Sequence, residues 1–474
     1  MTLLDTSYLE TRWLRGGVCS LEREGLEYAS IAGMLAVAAM YVGVRREMCF
    51  GWDEAMYGCI VRSLSSSLWN FTICGVPALH KPPLYPYAGL MLSRILGVSW
   101  GLRAVASVSG ILTAVVSYAI CLEVYGDRRS GLICALLTAA NPLMWYFSTR
   151  CLSDSMGALT FAAVALMSIK SAKSSRAVDL MTLGLLLGLA AEARYPNAIA
   201  AVLPAAAFLS HRIKLREWSR VIGYVSVGIL AATAPFIALN LKLYNHPFKG
   251  PYFASRLIRL DVPVSSLKAA VWLAIYANLL LPAAVYKLMR EKPSSNEMLL
   301  VVWALLVIIV VFRLPHKEER FFMPAIPPLS ILASRCMAKP RERTLIPLVL
   351  LLNVAGFSWL YVRTADMGCV EKEAGLYVAK HPKPGIVVSE LVPQISFYSG
   401  KLVVRFPPSA SELRNLAAEG KIGYVVLSTG RNRSPEYAWR MLREGMMTQV
   451  FVAESKGMTV IVAEFPSEVR ESGS

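Results

Sequence analysis

The chain has 474 residues, 55% of them hydrophobic and only 17% charged, and its mean hydropathy is +0.48. A soluble protein carries closer to a quarter charged residues, so the composition excludes an ordinary soluble fold and points to a polytopic membrane protein. A formal net charge of +17 would suit nucleic acid in a soluble chain. Here most Lys and Arg fall in short gaps between apolar runs, where topology accounts for them, and no nucleic-acid partner is expected.

Residues 1–27 contain charges and no apolar h-region, so the first apolar run is read as an anchor rather than a cleaved leader. Apolar runs predict eleven spans, near 28–44, 104–124, 131–147, 155–169, 178–192, 197–210, 221–241, 268–286, 298–312, 321–334 and 345–362. With the N-terminus cytoplasmic, the inner gaps hold 19 Lys/Arg in 72 residues and the outer gaps 15 in 104. That asymmetry follows the positive-inside rule. Arg45 and Arg46 oppose it. The longest outer loop is 45–103; its stretch "ALHKPPLYPYAGLMLSRILG" suits a helix lying on the membrane surface.

The tail, 366–474, changes character. "GIVVSE", "KLVVRF", "GYVVLST" and "MTVIVAEF" are short β-branched runs, and "SASELRNLAAEGK" and "SPEYAWRMLREGM" have helical spacing behind a Ser. The organisation expected is a membrane domain over 1–365 followed by a small extracytoplasmic α/β domain over 366–474. The nine cysteines show no CxxC and no zinc spacing. Cys49, Cys59 and Cys74 share one loop, which leaves a disulfide there open; Cys121 and Cys134 read as small hydrophobes in apolar runs.

This topology gathers charges on the outer face. "CFGWDEAMYG" supplies Asp53 and Glu54, "HKPP" supplies His80 and Lys81, "STRCLSDSM" supplies Arg150 and Asp154, and "RLPHKEERFF" supplies His316, Lys317, Glu318, Glu319 and Arg320. "WDE" after the first span, "HKPPLYPY" in the same loop and "RCLSD" after the third span resemble the GT-C membrane glycosyltransferases, in particular the protein O-mannosyltransferases and the lipid A aminoarabinose transferases. "HKEERF" resembles a motif of the mannosyltransferases that build lipid-linked oligosaccharides and GPI anchors. The resemblance extends over essentially the whole chain.

The resemblance implies an α-helical polytopic enzyme that moves a sugar from a polyprenyl- or dolichyl-phosphate carrier to a protein, glycan or lipid acceptor, with inversion, on the extracytoplasmic face. "HKEERF" favours mannose. An attacking hydroxyl needs a general base. A phosphate leaving group needs cations rather than the second acid of a glycosidase. Asp53 is matched to the base, with Glu54 and Asp154 as further catalytic candidates. His80, Lys81, Arg150, His316, Lys317 and Arg320 are the candidates for the donor phosphate. Arg150 and Asp154, four apart, could alternatively form a mutual ion pair. The chain lacks the "WWD" motif of metal-dependent oligosaccharyltransferases, so no cofactor is required, although a divalent metal is compatible with these residues. The alternative function is a transporter or flippase of lipid-linked sugars, which would carry ionisable groups near mid-span or broken repeats.

Overall fold

The computed structural model of the chain describes residues 49–213, 215–249, 267–314, 317–430, 432–455 and 457–466. The first expected span, 28–44, lies outside the described residues.

The long loop is largely regular: helix α1 (Trp52–Ser66), a hairpin of β1 (Thr72–Ile73) and β2 (Val76–Pro77), and helix α2 (Leu84–Leu96). Glu54 caps the start of α1 by accepting from the Gly51 N–H at 2.8 Å. Two acidic residues in the first turn also suit the positive end of the helix dipole. On α2, Met91 and Ile95 are exposed, as a helix at a lipid surface requires.

The bundle follows: α3 (Val98–Tyr125), α4 (Arg128–Ala139), α5 (Pro142–Ser148), α6 (Asp154–Ser174), α7 (Ala177–Ala193), α8 (Val202–Ser210), α9 (Trp218–Tyr244), α10 (Leu267–Ala277), α11 (Leu280–Arg290), α12 (Ser295–Arg313), α13 (Ile326–Met337) and α14 (Leu345–Thr364). Short 3₁₀ helices, Tyr195–Ala201 and Glu319–Ala325, lead into α8 and α13. Among the described residues five helices are long and apolar enough to cross a membrane: α3, α6, α9, α12, and α14 with its leading turn. The bent pairs α4–α5 and α10–α11 raise this to seven. Each expected span from 104 onward meets a helix, but α7 has 17 residues and the 321–334 run begins as a 3₁₀ helix containing Pro324. Among the described residues, then, five to seven spans meet a length-and-composition test, and the count of eleven stays an expectation.

The breaks in the two bent pairs, 57° and 81°, are managed by asparagines. The Asn141 side chain accepts from the Leu143 N–H at 3.0 Å and donates to the Tyr276 carbonyl at 2.8 Å. The Asn278 amide donates to Asn353 Oδ1 at 2.7 Å. Side chains thus satisfy polar groups that lipid could not. Helices α7 and α9 cross so closely that a Cβ on Gly184 would lie 2.0 Å from the Val225 carbonyl oxygen, the small-residue contact typical of membrane helices.

Beyond α14 come α15 (Cys369–Lys380), β3 (Ile386–Ser389), α16 (Val392–Ser399), β4 (Val403–Val404), α17 (Ala410–Ala418), β5 (Ile422–Ser428), α18 (Glu436–Arg443), β6 (Thr448–Ser455) and β7 (Met458–Glu464). The sheet order is β4-β3-β5-β7-β6, parallel from β4 to β5 and antiparallel from β5 to β6. Alternate residues of β5 feed two apolar cores, Val425 and Leu427 on one face, Tyr424 and Val426 on the other. Ser409 caps α17 through the Glu412 N–H. Ser434, expected to cap α18, instead bonds to the Ser428 N–H at 3.0 Å, and Pro435 opens that helix. The cysteine pairing differs from the shared-loop arrangement left open above: Cys49 is bonded to Cys369, 320 residues away, and Cys59 and Cys74 are free thiols.

Candidate active site

A cavity of about 1420 Å³ opens where α6 begins and α7 ends, where α10 begins, and where α12 and α14 end. It is lined by Asp53, Glu54, His80, Lys81, Arg150, Asp154, Lys317 and Arg320, so every described site candidate reaches one chamber. His316 lies outside the described residues. Three cations that motif reading passed over, Arg194, Lys268 and Arg363, also line it. Arg194 was visible in the four-residue outer gap 193–196, and Arg363 borders the last span. Their position on the expected outer face was the available signal.

The two adjacent acids have opposite surroundings. Glu54 is 2% exposed. Its carboxylate accepts from Arg150 Nε at 2.6 Å, from Arg150 Nη2, from the Cys151 N–H at 3.1 Å and from the Gly51 N–H. Arg150 Nη1 donates to the Tyr146 hydroxyl at 3.1 Å. Burial disfavours the Arg150 charge, yet the Glu54 carboxylate outweighs this and holds its pKa above the ordinary value. Arg150, a donor-phosphate candidate, is thus spent on Glu54, and its i,i+4 neighbour Asp154 pairs elsewhere.

Asp53 has 25% of its side chain exposed, toward the chamber. Oδ1 accepts from Lys81 Nζ at 2.7 Å and Oδ2 from Arg320 Nη2 at 2.5 Å. Burial pushes its carboxyl up, but the charges and hydrogen bonds of Lys81 and Arg320 prevail and hold it well below the usual carboxylate range. For Lys81, burial is likewise outweighed by Asp53, and its pKa rises. Arg320 joins the acids: besides Asp53 it reaches Asp154 Oδ2 at 3.5 Å and Glu318 Oε2 at 2.5 Å. Asp154 pairs also with Arg194. Tyr57 donates to or accepts from Ser153 Oγ at 2.9 Å, and Lys81 lies 5.7 Å from its ring centroid.

Arg320 stands between Asp53 and Asp154 and pairs with both. Among the described residues no three His, Cys, Asp or Glu side chains converge. Seven Lys and Arg line the chamber against five carboxylates, and guanidinium groups suit phosphate oxygens.

The chain resembles known proteins both in sequence and in fold. The dolichyl-phosphate-mannose-protein mannosyltransferase profile matches residues 80–238, and the Alg9-like mannosyltransferase profile matches 266–369. An undecaprenyl phosphate-alpha-4-amino-4-deoxy-L-arabinose arabinosyl transferase of Pseudomonas aeruginosa (strain UCBPP-PA14) is 26% identical over 258 residues. That alignment takes in 51% of this chain and 46% of the relative, about half of each. Among solved structures, ArnT from Cupriavidus metallidurans bound to undecaprenyl phosphate superposes with a TM-score of 0.72 at 16% identity, over 94% of this chain and 98% of that one. The oligosaccharyltransferase of Archaeoglobus fulgidus, in complex with zinc and sulfate, superposes with a TM-score of 0.54 at 13% identity, over 90% and 72%. The fold of the chain is thus shared with these membrane glycosyltransferase structures, and two separate stretches of its sequence match membrane mannosyltransferase profiles.

Proposed function

We propose that the chain transfers a sugar from a polyprenyl-phosphate carrier to an acceptor, with inversion, in the cavity beside Asp53. The observation that carries this reading is the chamber itself, a cation-rich cavity at the end of an apolar bundle with the quarter-exposed Asp53 carboxylate on its wall between two cations. The acceptor oxygen attacks the anomeric carbon from the face opposite the carrier, its proton passes to Asp53, and the phosphate leaves with the bonding electrons. No protonated leaving-group acid is needed, because the phosphate departs as a stable anion.

A carboxylate held by two cations is a weak base at rest. The carrier phosphate competes for the same Lys81 and Arg320, and each cation it draws away raises the basicity of Asp53. Donor binding thereby switches on the base. Lys317 and Lys268 add positive charge near the phosphate, and His80 lines the same wall. Glu54 and Arg150 act as a buried brace that fixes α1. Asp154, held by Arg194 and Arg320, orients the acceptor.

The sheet domain over 366–474 is extracytoplasmic in this reading, and the N-terminus cytoplasmic. The Lys/Arg asymmetry supports it, as does the Cys49–Cys369 bridge on the cavity side, since disulfides persist in oxidising compartments. A cysteine at the exposed Ser411 should react with an impermeant thiol reagent in intact cells, whereas one at Ser174 should not; the reverse pattern inverts the topology. The function is tested in proteoliposomes with labelled polyprenyl-phosphate mannose and polyprenyl-phosphate aminoarabinose. Label should move to protein, glycan or lipid from a membrane extract with release of polyprenyl phosphate. Carrier flipped across the bilayer with its sugar retained would point to a transporter instead.

A further inference from the structure

Helix α1 turns Asp53 and Glu54 toward the cavity, while Cys49 and Phe50 before it and Gly58 and Arg62 along it contact the sheet domain. Cys49, just before the helix, is bonded to Cys369, the first residue of α15. Phe50 stacks on Phe397 of α16 with ring centroids 4.7 Å apart, and its N–H donates to the Tyr398 hydroxyl at 2.6 Å. Further along, Gly58 touches the same ring: a Cβ there would lie 2.5 Å from Phe397 Cε2. The Arg62 guanidinium lies 4.1 Å from the Phe397 centroid and donates to its carbonyl. Phe397 is thus gripped by residues 50, 58 and 62, spread over three turns, and none of these residues lines the chamber.

A helix held at its start and again along its length cannot rotate about its axis or slide along it. That matters here because Asp53 must stay within reach of the acceptor hydroxyl, and small misplacements are costly in catalysis. We propose that the Cys49–Cys369 bridge and Phe397 are positioning residues: they set α1 against the cavity and make the sheet domain a working part of the proton-accepting site. The inference rests on the functional reading above for its catalytic consequence but not for its structural one.

The test uses the full chain, as wild type, as the Cys49→Ser/Cys369→Ser double variant and as Phe397→Leu. Hydrogen exchange is read along residues 52–60 and along α3 and α6. Turnover and the KM for carrier are measured in parallel. Protection in the first turns of α1 should fall at least about tenfold while α3 and α6 keep theirs. Turnover should fall about 10- to 100-fold with the carrier KM nearly unchanged. Reducing the wild-type bridge with a phosphine and water, which yields two thiols and the phosphine oxide, should reproduce the double variant, and reoxidation should restore it. Unchanged exchange in α1 would overturn the proposal. So would protection lost equally from all three helices, or turnover falling only with the folded fraction, since either marks a merely structural bridge. The exchange result stands whether or not the wild type transfers a sugar, and wild-type turnover alone decides the functional reading.

Discussion

At the end of the bundle away from the cavity, Lys339 meets Glu291 at 2.8 Å and Lys173 meets Glu123 at 3.0 Å, both pairs largely exposed. Lys287 and Glu297 form a buried pair there, and Glu297 also completes the cap of α12 with Ser294. At the cavity end the carboxylates of Asp53 and Asp154 each share two cations, and Arg320 serves both. The first arrangement ties helices together and ends there. The second holds charges in mutual tension around open space, where an arriving anion can exchange partners with a carboxylate. Charge density alone does not mark a site; shared partners facing a cavity do.

The largest expected effect separates the two buried pairs. Arg150→Met and Lys287→Met each leave a buried carboxylate uncompensated and should destabilise the protein by about 3–5 kcal/mol, read as thermal melting in detergent. Turnover per folded molecule should collapse for Arg150→Met, whose loss frees Glu54 beside the base, and persist for Lys287→Met. Equal turnover in both variants would erase the distinction between the ends.

Lys81→Ala should weaken carrier binding by about 1.5–3 kcal/mol, the worth of a hydrogen bond to a charged group, as measured by titration with labelled carrier. The same change removes one of the two cations that depress the Asp53 pKa, so that pKa rises. The acid limb of the pH–rate profile should then move to higher pH than in the wild type. A limb that stays put would detach Lys81 from Asp53 in function. The smallest effect is expected at the far end, where Lys339→Ala breaks an exposed pair and should cost less than about 1 kcal/mol with turnover unaltered.

Much of this was legible in the sequence. Apolar runs located the helices, and the Lys/Arg bias together with "WDE", "HKPP", "RCLSD" and "HKEERF" pointed to residues that share one chamber. The bends were signalled less plainly: "AANP" at 139–142 carries an Asn-Pro turn signal, yet 131–147 read as one span because hydropathy is blind to direction. The division of labour between Asp53 and Glu54 was hidden, since adjacent residues in a helix point about 100° apart and only the packing tells which one meets Arg150. Cys49 and Cys369 offered nothing in their spacing, because a bridge between distant loops is fixed by the tertiary fold.

The most direct test is single-turnover release of polyprenyl phosphate by Asp53→Asn. The substitution keeps the side-chain shape but cannot take the acceptor proton, and it frees Lys81 and Arg320 for the phosphate. Transfer should slow by about 10² to 10⁴, the usual contribution of a positioned base, with carrier affinity unchanged or tighter. Near wild-type transfer by Asp53→Asn would contradict the account.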